Sequence, residues 1–190
     1  MSTRFRPAIA LLFLLTVITG LVYPLVVTGI ARVVLPSQAA GSLLVKDGKA
    51  IGSHLIGQSF SDPKYFWSRP SATTPQPYNG LASAGSNLGP LNPALTDAIR
   101  LRIQALREAD PGNTAPVPVD LVTASGSGLD PEISLAAVNY QAPRVARVRG
   151  LQPQVVQALI TAHTQGRLFG VLGEPRVNVL ELNLALESLK

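Results

Sequence analysis

The chain has 190 residues, of which 46% are hydrophobic and 14% are charged, with a formal net charge of +5 and no cysteine. The lack of cysteine excludes disulfides, thiolate metal ligands and thiol nucleophiles. The basic residues form no run, so we expect no nucleic-acid partner despite a calculated pI of about 10.

The first predicted element is an uncharged apolar stretch over residues 7–31. At about 1.5 Å per residue, a helix of this length crosses a hydrocarbon core of roughly 30 Å with some tilt. The stretch has no polar face, which argues against a buried helix of a soluble protein. It is longer than the apolar part of a cleaved signal peptide, although Ser37 and Ala39 offer a passable cleavage site. We predict a retained single-pass anchor over residues 1–35.

The charges beside this stretch predict its orientation in the membrane. Arg4 and Arg6 precede it and only Arg32 follows closely. Because positive charge marks the cytoplasmic side, we expect a cytoplasmic N-terminus in the inner cell membrane. Residues 36–190 then form one extracytoplasmic domain, and the anchor before it is surrounded by membrane lipid. Of the 16 basic residues, 13 remain after these three arginines are removed, against 11 acidic residues, so the domain has little net charge.

The predicted outer domain begins with a small-residue linker over residues 36–42, followed by a β-hairpin. The expected strands are residues 43–45 and 50–56. Between them, Asp47 and Gly48 form a strong turn signal, because both residue types tolerate a positive φ.

A long irregular segment follows the hairpin. Residues 57–69 contain the aromatic cluster, and residues 70–93 are rich in proline and glycine. Irregular segments of this length are uncommon in compact domains and are usually functional or disordered. Aromatic residues and arginine are enriched at energetically dominant interface positions. We therefore predict a partner contact, or the support of one, for Tyr65, Phe66, Trp67 and Arg69, with a place in the hydrophobic core as the alternative.

Helix signals begin at Asn92, a good N-cap, with Pro93 at the first helical position. Apolar residues then recur at helical spacing until residues 110–113 end the helix. Residues 117–124 read as a strand, interrupted early by Pro118.

Two further helices are expected, one capped by Asp130 and running to about Tyr140, and one from Pro153 to Gly166. Residues 168–172 are expected to form a short strand. Residues 177–189 are ambiguous, because the leucines alternate as in a strand but also fit one face of a helix.

We choose the helix for residues 177–189, because Asn178 and Glu181 have the spacing of a capping box. The predicted fold class is therefore α+β: one N-terminal transmembrane helix, then a single mixed domain with a small sheet and three or four helices.

The usual catalytic constellations are missing from the sequence. There are two histidines, His54 and His163, and no phosphate-binding loop or Gly-x-Ser-x-Gly motif. Asp120 and Asp130 form a nominal carboxylate pair, but Asp130 is better explained as a cap. We predict no catalytic residue and no metal site. The Ser-Gly-Ser-Gly turn at residues 125–128 could bind an anion through backbone amides, with a flexible turn as the alternative.

Several long motifs occur in one order along the chain. They are YFWSRPSA at 65–72, YN at 78–79, ASAGSNLGP at 82–90, DLVTASGSGLDP at 120–131, YQ at 140–141, RVA at 144–146 and GEPRVNVLELN at 173–183. Together they resemble the C subunit of the Kdp potassium-transporting P-type ATPase (the KdpC family). The resemblance covers essentially the full chain, the anchor included.

This resemblance implies an accessory role without catalysis. In that family the complex imports potassium at high affinity, driven by ATP, and this subunit serves assembly. It is described as a catalytic chaperone that raises the ATP affinity of the hydrolytic subunit. The implied partners are a channel-like potassium-binding subunit, an ATP-hydrolysing P-type subunit and a small single-span subunit. The hydrolytic site is expected on another chain, and no Asp-Lys-Thr-Gly string occurs here.

The resemblance also implies nucleotide contacts, with ATP as the ligand, at Ser125, Gly126, Ser127, Gly128 and Gln141. The predicted orientation conflicts with a direct contact, because ATP lies on the cytoplasmic side. An alternative therefore stays open, in which the extracytoplasmic domain acts at the potassium entrance of the channel-like subunit without contacting ATP. For Gln141 the simpler interpretation is a helix-end residue that satisfies backbone groups.

Overall fold

The structure is a computed structural model that describes residues 2–189. The chain divides into two compact units, Met1–Leu44 and Val45–Lys190.

The first unit contains a long apolar helix, Phe5–Val34, the one candidate membrane span among the described residues. It consists of α1 (Ser2–Val17), a π-helical turn (Ile18–Val22) and α2 (Tyr23–Val34). In an α-helix, a proline ring clashes with the carbonyl of the residue four positions earlier. For Pro24 that carbonyl belongs to Gly20, which lies in the π-helical turn. The wider turn therefore lets the helix continue past the proline. Its apolar side chains are not buried against other described residues, as a lipid-facing helix requires.

Residues 36–42 begin with a short helix, α3 (Pro36–Ala39), where a linker was expected. The predicted hairpin is confirmed as β1 (Leu43–Lys46) and β2 (Lys49–Ser53). Asp47 and Gly48 have φ angles of 51° and 74°, the positive values that a type I′ turn requires.

The remaining elements build the mixed domain. They are α4 (Pro93–Ala109), a 3₁₀ turn (Val119–Leu121), β3 (Glu132–Ser134), α5 (Leu135–Arg149), α6 (Pro153–Ala162), β4 (Thr164–Gln165), β5 (Arg176–Asn178) and α7 (Val179–Ser188). β5 is the centre of a three-stranded antiparallel sheet in the order β3-β5-β4, with Val177 opposite both Ile133 and Thr164. An apolar span followed by helices and two small sheets confirms the predicted α+β class.

The hydrophobic core lies among α5, α6, α7 and the three-stranded sheet. Its fully covered members include Val138, Val145, Val156, Val177, Leu182 and Leu186. Phe66 comes from the irregular segment and is 0% exposed, so part of that segment belongs to the core.

The strand expected at residues 117–124 is wrong. Thr123 donates its N–H to the carbonyl of Val119 at 2.9 Å, so this backbone bonds to itself in a turn and pairs with no strand. Pro118 brings no N–H for a ladder in any case.

The helix expected from Asp130 starts later, at Leu135, and runs past Tyr140 to Arg149. Residues 132–134 pair with β5 instead, and Ser134 caps the helix by accepting the N–H of Ala137 at 3.1 Å. Gly150, at φ 65°, ends it in the left-handed conformation that glycine adopts readily.

After α5 there are two more errors and one confirmation. The helix expected from Pro153 to Gly166 ends at Ala162, because residues 164–165 pair with β5 instead. The strand expected at residues 168–172 is a tight turn closed by an isolated bridge between Leu168 and Leu172. The helix chosen for residues 177–189 is confirmed as α7, and the Asn178 side chain accepts the N–H of Glu181 at 3.2 Å.

Candidate functional site

The main candidate site is the irregular segment between β2 and α4, together with the side chains that hold it. Residues 54–92 contain no helix and no strand of a sheet, yet many of their polar groups are bonded. Buried backbone groups need partners, and this segment has no ladder to supply them. The helices supply them through side chains.

Asn183 of α7 holds the backbone of Phe66. Its Oδ1 accepts the Phe66 N–H at 2.9 Å, and its Nδ2 donates to the Phe66 carbonyl at 2.9 Å. Asn183 is only 3% exposed, so these bonds are made away from water.

Gln141 of α5 holds the next residue in the same way. Its Oε1 accepts the Trp67 N–H at 2.8 Å, and its Nε2 donates to the Trp67 carbonyl at 3.1 Å. Successive residues of an extended chain point their backbone groups to opposite sides. Two helices can therefore hold two neighbouring residues, and we call Gln141 and Asn183 the amide clamp.

Arg144 completes this arrangement from one helical turn beyond Gln141. It donates to Gln141 Oε1 at 2.8 Å and to the carbonyl of Pro63, and its guanidinium lies 4.9 Å from the centre of the Trp67 ring. Burial lowers the pKa of Arg144 to about 10, so it stays charged at neutral pH. A buried cation over an aromatic face is a stabilising arrangement.

The predicted nucleotide contacts at residues 125–128 form one turn, whose polar groups are largely used within the protein. Ser125 is buried, and its Oγ accepts the N–H of Gly128 at 2.8 Å. Ser127 accepts the N–H of Leu129 through its hydroxyl at 3.1 Å. Gly126 is the open member, since a Cβ there would meet nothing within 4 Å.

The irregular segment packs directly on this turn. Ala84 donates its N–H to the Ser127 carbonyl at 3.0 Å, and Ser71 donates its hydroxyl to the Gly128 carbonyl at 2.6 Å. A Cβ on Gly128 would lie 2.5 Å from the Ala84 carbonyl oxygen. The turn is therefore a docking surface for the segment.

Gln141, the fifth predicted contact, lies elsewhere. Among residues 2–189, no recorded hydrogen bond joins it to the turn at residues 125–128. It does satisfy backbone groups, as the simpler interpretation expected, but from the middle of α5 and not from a helix end. The structure thus groups four of the five predicted residues and assigns the fifth to the amide clamp.

The nominal carboxylate pair is engaged in two separate tasks. Asp120 accepts the N–H of Ser134 at 2.7 Å. Asp130 accepts the N–H of Glu132 at 3.0 Å and pairs with Arg69 at 3.2 Å. Asp130 is thus a turn-forming residue and a partner of the irregular segment, where a helix cap was expected.

The histidines are not placed as metal ligands. His54 Nδ1 contacts Glu181, and His163 Nδ1 contacts the Leu159 carbonyl at 2.9 Å at the end of α6. Within the part of the chain that the structure describes, no group of three or more His, Cys, Asp or Glu could hold a metal ion.

Sequence reasoning missed the roles of Asn183 and Arg144. Both lie in quoted motifs, and both are polar residues that a helix buries. Asn183 follows the core residue Leu182, and Arg144 precedes the core residue Val145. A polar side chain that a helix buries must find a partner, and that signal could have pointed to the clamp.

A second feature is an exposed apolar turn at residues 168–172, which we call the apolar tip. Phe169 is 85% exposed and Val171 is 74% exposed, with Leu168 and Leu172 beside them at more than half. The tip is ordered by two bonds between the backbones of Leu168 and Leu172, at 2.9 and 3.0 Å. It contains no charge.

Comparison with known proteins gives one consistent result. The family model described as "KdpC: K+-transporting ATPase, c chain" matches residues 5–188. A protein of Variovorax paradoxus (strain S110) is 67% identical over 188 residues, covering 99% of this chain and 97% of its own length. One of Dechloromonas aromatica (strain RCB) is 64% identical over 189 residues, covering 100% and 99%. Both are named "Potassium-transporting ATPase KdpC subunit". The chain therefore belongs to the KdpC family, the c chain of the potassium-transporting ATPase.

Proposed function

We propose that this chain is a non-catalytic accessory subunit of an ATP-driven potassium import complex, needed for assembly. Its partners are then the channel-like potassium-binding subunit, the ATP-hydrolysing P-type subunit and the small single-span subunit. Hydrolysis takes place on the P-type subunit. The chain's own contribution is to raise the ATP affinity of that subunit.

The observation that carries the assembly role is the apolar tip. Soluble proteins rarely leave a contiguous group of large apolar side chains exposed unless they bind something there. The tip presents four of them on an ordered turn, so little conformational freedom is lost when a partner covers it. Phe169 is the natural anchor, since aromatic side chains dominate binding energy at interfaces.

The amide clamp supports an indirect effect on ATP. The Gln141 side chain bonds to Trp67. The turn at residues 125–128 uses its polar groups within its own loop and on the irregular segment. A subunit with an extracytoplasmic domain would in addition be separated from ATP by the membrane. We therefore propose that it raises ATP affinity through contacts with its partner chains.

The localisation follows from the apolar helix Phe5–Val34 and its flanking charges. We propose a single-pass protein of the inner membrane with a cytoplasmic N-terminus. Protease added to intact spheroplasts should then digest the mixed domain, whereas a fully protected domain would reverse the orientation.

The assembly role is tested with a double substitution in the tip, Phe169→Ser with Val171→Ser. Leu91→Ser is the matched control, because Leu91 is also an exposed apolar residue but lies outside the tip. We expect the tip variant to fold with an unchanged melting temperature and to lose most of its co-purification with the partner chains. The control should assemble normally. Normal assembly of the tip variant would contradict the proposal.

The effect on ATP is tested on the assembled complex. A complex that carries Gln141→Leu or Gly126→Ala in this chain should keep its KM for ATP if the effect is indirect, whereas ATP binding by the P-type subunit should be weaker without this chain than with it. Equal ATP binding by the P-type subunit with and without this chain would remove the chaperone role and leave the alternative at the potassium entrance.

A further inference from the structure

A small polar cavity of about 300 Å³ is lined mainly by the irregular segment, with one wall residue from α4. Two arginines line it, Arg69 from the segment and Arg102 from α4. Serine and tyrosine hydroxyls make up much of its remaining polar wall; these are Ser59, Ser68, Ser71 and Tyr78.

The two arginines are held over neighbouring carbonyls. Arg102 donates to the Val122 carbonyl at 2.7 Å, and Arg69 donates through Nε to the Thr123 carbonyl at 3.3 Å. These bonds fix both arginines in the wall of the cavity.

Among the described residues, one carboxylate pairs with these two arginines. Asp130 pairs with Arg69 at 3.2 Å, and among the described residues no carboxylate pairs with Arg102. Burial lowers the pKa of Arg102. A partly buried guanidinium with one of its five N–H donors bonded to a carbonyl has donors left for an anion.

A buried hydroxyl lies in the same wall. The Oγ of Ser68 is buried and interacts with the Tyr78 hydroxyl. The Tyr78 hydroxyl donates to the Arg69 carbonyl, and the hydroxyl of Ser71 donates to the Gly128 carbonyl. Ser68 thus adds a hydroxyl group to the wall that also contains the two arginines.

We propose that this cavity binds one oxyanion group, a carboxylate or a phosphate, through Arg102 with help from Arg69 and Ser68. Guanidinium groups recognise both by the same planar, bidentate geometry. Two sources can supply such a group, a free anion in solution or an acidic side chain of a partner chain. The proposal is independent of the assembly role of the apolar tip.

The test uses the full-length chain in detergent, with inorganic phosphate as the probe in a calorimetric titration. Arg102→Gln should weaken phosphate binding by about tenfold or more, the loss expected for a charged hydrogen bond. Ser68→Ala keeps both arginines and should weaken it by a few-fold. Arg100→Gln is the matched control, since Arg100 is on the same helix, is well exposed and pairs with Asp97. Melting temperatures show whether each variant is folded.

The second arm uses the assembled complex. If the chain alone binds no phosphate but Arg102→Gln lowers co-purification with the partner chains, the anion is a partner carboxylate, and the proposal stands. If Arg100→Gln weakens phosphate binding as much as Arg102→Gln, the binding is nonspecific and the proposal fails. It fails equally if no phosphate binds and both Arg102→Gln and Ser68→Ala assemble like the unchanged chain.

Discussion

Gln141 and Asn183 lie on different helices, yet their side-chain amides hold the backbones of two consecutive residues, Trp67 and Phe66. Each amide provides one acceptor and one donor, which is what a neighbouring strand would provide. The irregular segment is thus tied to α5 and α7 at its most buried point.

The clamp predicts a stability defect for Gln141→Leu. The Trp67 N–H and carbonyl would lose their partners, and Arg144 would lose an acceptor, so we expect a loss of about 2–4 kcal/mol in the free energy of unfolding. Trp67 is the only tryptophan of the chain, so its fluorescence reports unfolding at this point. Gln157→Leu, at an exposed position of α6, is the control. A stable Gln141→Leu variant with reduced ATP affinity of the complex would instead indicate a nucleotide contact.

Phe66 and Trp67 should respond differently to truncation. Phe66 is fully buried in the core, so Phe66→Ala should cost about 3–5 kcal/mol. Trp67 is half-buried against the core and contributes a cation–π contact, so Trp67→Ala should cost less. Far-UV circular dichroism during heating measures both. If Trp67→Ala is fully stable but fails to assemble, Trp67 is a partner contact and not a support.

Two glycines of one turn form a natural pair for substitution. Gly128→Ala places a Cβ against the Ala84 carbonyl at a φ of 68°, and we expect a cost of about 2 kcal/mol or more. Gly126→Ala meets open space and should change stability by less than about 0.5 kcal/mol. Thermal melting compares them. Equal stability of the two variants would contradict the packing described here, and a Gly126→Ala variant that lowers ATP affinity would support a nucleotide contact.

Because of Tyr78, we expect the stability of the domain to fall at alkaline pH. Burial raises the pKa of Tyr78 to about 12, above its ordinary value of 10.0. The folded state therefore favours the protonated phenol. Its contribution to the free energy of unfolding is complete below pH 10 and is lost as the pH rises towards 12. We expect a loss of up to about 2 kcal/mol across this window, reduced from the full shift because the ring is partly exposed.

The measurement is the unfolding free energy of the unchanged chain minus that of Tyr78→Phe, at several values of pH. Taking the difference removes the lysine and arginine titrations that the two chains share. A difference that stays constant between pH 10 and 12 would show that the phenol is not buried as described.

Local signals predicted the elements that local chemistry determines. Asn92 caps α4, with its Oδ1 accepting the Ala94 N–H at 3.0 Å, and Asp47 with Gly48 makes the hairpin turn. These features need only a few neighbouring residues, so the sequence pattern is sufficient. Pro153 marked the start of α6 for the same reason. The apolar spacing of α7 was ambiguous, and the local capping pair of Asn178 and Glu181 decided it.

The errors arose where distant residues decide the structure. Asp130 and Pro131 are residue types that often begin a helix. Residues 132–134 nevertheless pair with β5, so α5 starts only at Leu135. The role of Gln141 depends on Trp67, which is 74 residues away in the chain. No local period encodes such a pairing, and the same holds for the contact between Arg102 and the Val122 carbonyl.

The dependence of residues 57–92 on side chains from outside also limits where that segment can exist. A hairpin or a helix carries its own hydrogen bonds and keeps its shape when moved to another protein. This segment takes much of its shape from Gln141, Arg144 and Asn183, and from the turn at residues 125–128. If the segment were grafted alone onto another scaffold, its buried backbone amides would lack hydrogen-bond partners. It can keep this conformation only together with the helices that hold it.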